Sequence, residues 1–380
     1  MTTLTPARFS TASRTAGVRL LGIGRATPPS VSQTLAAEIA ADFSCETPAQ
    51  RAWLTRVFLR CGIDARGSVL ASHDNPSPEI IRAFYPPRSS VTDRGPTTAV
   101  RMARYAAEAP PLAHRAAAAA LADADTDAAT ITHLITVSCT GFFAPGLDAA
   151  LINSLSLPPT VQRTHIGFMG CHAAFNALAA ARSIVLADPR ARVLICCVEL
   201  CTLHFAYGWD PGKLVANALF ADGAAAAVLG HSAGPAAEDA SLTLIDCASC
   251  LLPDSAAAMT WNIGNHGFEM TLSPDIPALV ARHLPAFIEA FLATHRLACG
   301  DIVRWAIHPG GPKVLTAIAD ALALPPAALT ASRHILAQHG NMSSATILFI
   351  LDHLAATTQS GPTVAIGLGP GLMAEAMLLE

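Results

Sequence analysis

Charge is scarce in this 380-residue chain. Only 14% of its residues are Asp, Glu, Lys or Arg, against 52% hydrophobic ones, so little of it has the composition of a disordered segment. It also lacks a basic excess: a formal charge of −4 and a pI near 6.4 argue against a nucleic-acid or anionic-membrane partner. No uninterrupted apolar run is long enough to cross a bilayer, because charges and prolines break the Ala-rich stretches. Residues 1–16 hold arginines, serines and threonines but no apolar signal core, and read as a disordered tail. No cluster of His, Asp and Glu has metal-ligand spacing. Glycine turns are expected at Gly22-Ile-Gly24, Ala221-Asp-Gly223 and Gly367-Leu-Gly-Pro-Gly371. They lack the P-loop lysine and the dinucleotide glycine spacing, so nucleotide binding is not expected there.

Cysteine, by contrast, is plentiful. Ten cysteines at irregular spacing, with no secretory signal, read as reduced thiols in a cytoplasmic protein. Cys196 and Cys197 fall in the strand pattern Val-Leu-Ile-Cys-Cys-Val-Glu-Leu and are expected as buried small hydrophobes. Cys247 and Cys250 have C-x-x-C spacing, but no second pair or histidine cluster accompanies them.

The chain repeats itself. Near Ile131 an apolar strand pattern ends at Ser138-Cys139-Thr140-Gly141, passes into a helical pattern and stops at Pro158-Pro159. Near Ile302 a second ends at His308-Pro-Gly-Gly, becomes helical and stops at Pro325-Pro326. After each Pro-Pro a short extended segment is expected, then Gly170-Cys171 in one copy and Gly340-Asn341 in the other, each opening an Ala/Ser-rich helix. This alternation predicts a duplicated, layered α/β body with a pseudo-two-fold axis. Cys171 and Asn341 then occupy equivalent helix N-termini, and Cys139 and His308 equivalent strand ends. The expected halves are residues 17–240, carrying the cysteine, and 241–380, carrying the histidine and asparagine.

Three glycine-flanked segments bring reactive side chains: Gly-Phe-Met-Gly-Cys171, Ile-His308-Pro-Gly-Gly-Pro and His-Gly-Asn341-Met-Ser-Ser. A thiol at a helix start beside an imidazole is expected as a thiolate, and an imidazole with an amide can hold a developing oxyanion. The combination points to acyl-thioester chemistry. As alternatives, Asn341 is a helix cap or a glycosylation acceptor, and Cys171 is a buried structural cysteine.

With these segments, together with Ala218-Leu-Phe220-Ala-Asp-Gly and Gly367-Leu-Gly-Pro-Gly371, the chain resembles the type III polyketide synthases. These are the chalcone-synthase-like branch of the thiolase superfamily, and the resemblance runs from about Gly17 to the C-terminus. It implies a thiolase-like α/β/α/β/α fold, a homodimer, and iterative decarboxylative condensation of malonyl-CoA onto an acyl-CoA starter. No metal or redox cofactor is implied. Cys171 matches the nucleophile, and His308 and Asn341 match the pair that supports decarboxylation. Phe220 matches the gatekeeper between the CoA tunnel and the reaction cavity.

Departures from the plant members concern the pocket. Met270 stands where plant members carry a second gatekeeper Phe, and Trp261 replaces a small residue on the cavity floor. Cys139, Thr140, Cys201, His204 and Ser343 align with other pocket positions. The pattern around Glu199 and Cys201 is more like bacterial members making alkylpyrones, alkylresorcinols or tetrahydroxynaphthalene. An aliphatic acyl or malonyl starter is therefore expected. Arg56 and Arg60, four apart on one helical face, are the expected grip on the phosphates of CoA, with Arg66 a weaker candidate, and Lys313 is a CoA-binding candidate expected at the pantetheine or at the surface. Competing readings are an initiation-type ketoacyl synthase working on acyl carrier protein, a cysteine-dependent thioester hydrolase and a non-catalytic partner subunit. His165, His172 and His339 are expected to be ordinary hydrogen-bonded histidines.

Overall fold

The computed structural model describes residues 17–71, 78–232, 242–357 and 359–380. The expected tail at 1–16 and the expected boundary at 240 lie outside them. Among the described residues thirteen strands are formed: β1 (Gly17–Ala26), β2 (Ser30–Ser32), β3 (Ala65–Gly67), β4 (His133–Ser138), β5 (Gln162–Gly167), β6 (Arg192–Leu200), β7 (Asp222–Ser232), β8 (Thr243–Leu251), β9 (Met259–Gly264), β10 (Gly267–Leu272), β11 (Arg304–Ile307), β12 (Thr363–Gly369) and β13 (Met373–Leu379).

Nine of these form one sheet in the order β11-β12-β13-β8-β1-β7-β6-β4-β5. The seam is the antiparallel pair β1·β8, registered only over Val18↔Leu244 and Arg19↔Thr243. Outward from the seam the two sides match. β1 and β8 each meet an antiparallel neighbour, β7 or β13; next come β6 or β12, also antiparallel. Each of these has a parallel neighbour, β4 or β11. The duplication read in the sequence is thus a property of the sheet. Its copies differ at the rim: β5 has no counterpart after Pro325-Pro326, where a 3-10 turn (Pro326–Leu329) leads straight into helix Thr330–His339. The expected extended segment there is replaced by helix.

Strand alternation builds the layers. On β6, Leu194, Cys196, Val198 and Leu200 face one core while Val193, Ile195 and Cys197 face another. On β12 and β13, Val364, Ile366, Ala374 and Ala376 enter a third core, while Ala365 and Met377 share the middle one. Helix Thr98–Asp123 covers one outer face, helices Ile276–Ala293 and Pro312–Ala321 the other. Helices Ala173–Ala187 and Thr346–Ala355 fill the middle, giving α/β/α/β/α. Helix Ile276–Ala293 is long and apolar enough to span a membrane by composition, yet Val280, Leu284, Ile288 and Leu292 are fully buried in the third core.

Two expected glycine turns are strand interiors instead. Gly22-Ile-Gly24 lies within β1, where a Cβ on Gly24 would sit 2.2 Å from Ala116 O of the covering helix. Glycine is required by this close approach rather than by a turn. Ala221-Asp-Gly223 opens β7, whose alanines pack between two helical layers. Cys247 and Cys250 lie on β8, and all ten cysteines are free. Among the described residues, no group of three or more His, Cys, Asp or Glu is gathered as metal ligands would be.

Candidate active site

Cys171 follows Gly170, whose φ of +87° carries the chain off the end of β5 and into helix Ala173–Ala187. A side chain on Gly170 would also strike Pro370 Cδ at 2.6 Å. His308 stands just beyond β11, its N–H donating to Ile366 O of β12 at 2.8 Å. A Cβ on Gly369, at the end of that same β12, would fall 1.6 Å from His172 Nδ1. The C-terminal end of β12 therefore gathers the nucleophile's neighbour His172 and His308, and the two imidazoles interact electrostatically. Asn341 follows Gly340, at φ +71°, and its Oδ1 accepts from Ser343 N–H at 2.9 Å. The amide does cap a turn, as the alternative reading had it, but with its oxygen only. Its Nδ2 is left over.

The Asn341 amide and the Ser343 hydroxyl both act on the Cys171 thiol, each lowering its pKa. Even so Nδ2 completes no hydrogen bond, and neither do Nδ1 and Nε2 of His308. These three polar atoms are buried without protein partners, which is costly unless a ligand oxygen or proton is to be met there.

The thiolate expectation needs correction. Burial is the largest influence on Cys171 and pushes its thiol up to about 12, with the Glu199 carboxyl adding to the rise. Burial, then the neighbouring His172, pushes His308 down to about 3. Desolvation thus opposes both the thiolate of Cys171 and the imidazolium of His308, against the pull of the helix N-terminus.

A cavity with about 40 Å³ of free volume opens at the sulfur. Cys171, Cys139, Thr140, Cys201, His204, Phe220, Trp261, Met270 and Ser343 all border it. His308 and Asn341 do not line it; both are buried. The wall is tied in place by polar contacts. Trp261 Nε1–H donates to Cys139 O at 2.7 Å, and His204 Nε2 meets Thr140 O at 2.7 Å. Phe268 N–H donates to His204 Nδ1 at 2.9 Å, which fixes the tautomer. Burial pushes His204 down to about 3, so it serves as a neutral ring stacked on Phe268 at 4.2 Å.

Phe268 was not picked out by the sequence reading, and Glu199 entered it only as part of a pattern shared with bacterial members, with no role of its own. Glu199 is fully buried at the end of β6 and accepts from Cys139 N–H (3.0 Å), Thr140 Oγ1 (2.7 Å) and Ser344 Oγ. Burial raises its pKa and these donors oppose the rise. The one available signal was a carboxylate inside an otherwise apolar strand pattern.

The expected CoA ligands separate. Arg56, Arg60 and Lys313 are exposed and do not line the cavity. The turn after Arg60 adjoins the start of Lys313's helix, since a Cβ on Gly62 would lie 3.6 Å from Pro312 Cγ. Arg66 is a correction. It is fully buried, donating from one nitrogen to Asn217 O (2.6 Å) and Phe220 O (2.8 Å) while lying over the rings of Phe58 and Phe205. It holds the gatekeeper's backbone and cannot reach solvent.

His165 lies on the exposed strand β5, bonded to Thr136 Oγ1 at 2.9 Å, and His339 packs on Phe349. His172 has no partner at Nδ1, unlike the ordinary bonded histidine expected.

Comparison with known proteins agrees with this geometry. The family description "Chalcone and stilbene synthases, N-terminal domain" matches residues 7–235, and "Chalcone and stilbene synthases, C-terminal domain" matches 243–380. The chain belongs to this family, the type III polyketide synthases. It is 34% identical to a 1,3,6,8-tetrahydroxynaphthalene synthase of Streptomyces peucetius subsp. caesius, over 96% of this chain and 93% of that one. It is 30% identical to the alpha-pyrone synthesis polyketide synthase-like Pks18 of Mycobacterium tuberculosis, over 94% and 90%. A probable polyketide synthase 1 of Dictyostelium discoideum is 31% identical over 95% of this chain, which spans only 11% of that protein's length. Among solved structures, PKS-I of the brown alga Ectocarpus siliculosus superposes with a TM-score of 0.86 at 29% identity, covering 97% of this chain and 99% of that one. The C-terminal type III domain of Steely1 from Dictyostelium gives 0.85 at 28%, covering 96% and 99%.

Proposed function

We propose that this chain loads an acyl group from CoA onto Cys171, extends it with malonyl-CoA by decarboxylative Claisen condensation, and releases a cyclised pyrone, resorcinol or related aromatic. The observations that carry the assignment are the Asn341 amide acting on the Cys171 thiol at a helix start, and the unpaired buried ring nitrogens of His308 next to His172, the residue after the thiol. A neutral imidazole has one donor and one acceptor. It can take the proton of Cys171 as the thiol attacks a thioester, and with Asn341 it can donate to the oxygen of the enolate left when malonate loses carbon dioxide. Phe220, on the cavity wall, offers the malonyl carboxylate an apolar face. Arg56, Arg60 and Lys313 are assigned to the phosphates of CoA.

In this reading the nucleophile comes from the half before residue 240 and the two donors from the half after it. The small cavity and its aromatic wall favour a short starter, malonyl or a short aliphatic acyl group, over a long one. The exposed edge strand β5 and the exposed Phe142 support a homodimer, and ten free cysteines support a cytoplasmic location. Incubating the protein with a panel of acyl-CoAs and labelled malonyl-CoA, with products identified by mass, tests the assignment. Extended and cyclised products are expected. Hydrolysis of acyl-CoA without loss of carbon dioxide, or extension from acyl carrier protein alone, would overturn it.

A further inference from the structure

One charged pair at the cavity has no part in this chemistry. Lys213 Nζ and Glu269 Oε2 lie 2.6 Å apart. Of the residues bordering the cavity, Lys213 is the sole cation and Glu269 the sole carboxylate. Both are partly open to solvent, their side chains 31% and 49% exposed.

Their placement is set by the elements that carry them. Asp210 caps helix Pro211–Leu219 by accepting from Gly212 N–H and Lys213 N–H. Lys213, Ala216, Asn217 and Phe220 all border the cavity, the spacing of one helical face with the residue that closes it. A rise of about 10 Å separates Lys213 from Phe220 along this face. Phe220 marks the inner end, where its backbone bridges to Asn341, and Lys213 the outer, solvent-open end. Glu269 reaches Lys213 from β10, between Phe268 and Met270, so the ion pair ties the β9–β10 hairpin to helix Pro211–Leu219.

We propose that Lys213 reads the free carboxylate of malonyl-CoA at the cavity mouth, taking it in exchange for Glu269. This rests on the polyketide synthase reading above. An ion pair this exposed contributes little net stability, so an incoming carboxylate displaces Glu269 at small cost. An uncharged acyl group gains nothing by the exchange. Position also keeps recognition from opposing reaction. A carboxylate paired with an ammonium group holds its charge and resists losing carbon dioxide. One that has moved inward to the face of Phe220 has left that partner behind. Lys213 therefore selects the extender unit without stabilising it where it must react.

Binding to the Cys171→Ala variant, which cannot be acylated, separates recognition from turnover. Dissociation constants for malonyl-CoA and acetyl-CoA are measured by calorimetry in this background. Both thioesters carry the same phosphates, so contacts to CoA cancel in their ratio. We expect a preference for malonyl-CoA that falls about two- to fivefold on adding Lys213→Met, returns with Lys213→Arg and increases with Glu269→Gln, which frees the ammonium group. The inference is overturned if Lys213→Met leaves the ratio unchanged, or weakens both thioesters equally, as a contact to CoA phosphate or a structural role would. Failure of the activity itself is read separately, by the absence of extended products from the unmodified protein.

Discussion

Asn341 and Phe220 are joined through their backbones. Asn341 N–H donates to Leu219 O at 3.0 Å and Ala221 N–H donates to Asn341 O at 2.9 Å, an isolated parallel bridge between segments far apart in sequence. The amide proposed to meet the enolate and the ring proposed to meet the carboxylate are thereby fixed as one unit.

That unit gives a clean test of charge. Asn341→Asp keeps the oxygen that accepts from Ser343 N–H, so the turn is retained, but it sets a carboxylate where a donor stood. Malonyl-CoA decarboxylation is expected to fall by about 10²- to 10³-fold or more, with a lowered melting temperature from the buried carboxyl group. Unaltered decarboxylation in Asn341→Ala would remove the amide from the mechanism.

The resting state of the nucleophile has a pH signature. With the Cys171 thiol pushed up to about 12, its thiolate fraction in the free protein rises about tenfold per pH unit across the neutral and mildly alkaline range. Alkylation of Cys171 by iodoacetamide, followed by peptide mass, is expected to keep accelerating from pH 7 through pH 10. A plateau reached by about pH 7 would instead indicate a thiolate–imidazolium pair.

Arg66 is expected to matter for stability and for the gatekeeper together. Arg66→Met fits the space between Phe58 and Phe205 but leaves the carbonyls of Asn217 and Phe220 without their donor. A loss of about 3 kcal/mol is expected in denaturant unfolding. Direct contact with CoA would instead weaken CoA binding with no loss of stability.

The cavity wall predicts starter choice. Trp261→Ala removes a ring packed on Phe268 and Phe168 and is expected to admit longer acyl starters, read from product masses. Met270→Phe, directly across the β9–β10 pair from Trp261, narrows the same wall and is expected to shorten the chain.

Much of this site was legible in the sequence because its turns are local. Gly170, Gly340 and the Gly-Gly after His308 announce backbone that only particular places in a fold need, and a reactive side chain beside each stands out. The strands were legible as short apolar runs, as in Val193 to Leu200. Other features depend on distant parts of the chain. Nothing near Gly24 reveals that Ala116 will press against it, and nothing near Arg66 reveals that two carbonyls and two rings will enclose it. Helix capping alone said the Cys171 thiol should ionise easily. Only the folded chain shows how thoroughly water is excluded, and exclusion governs. Phe268 and Lys213 were overlooked because each sits in an ordinary local pattern and gains its meaning from the cavity between helix and hairpin.

The seam between β1 and β8 has a consequence for how such a protein can change. The copies share a helical middle but touch edge to edge over only two registered pairs. Each sheet half thus keeps its shape by its own hydrogen bonds. Helix Pro211–Leu219 and the β9–β10 hairpin hang on this doubled frame as replaceable fittings, so new pocket shapes can arise there while the thiol, imidazole and amide stay in place.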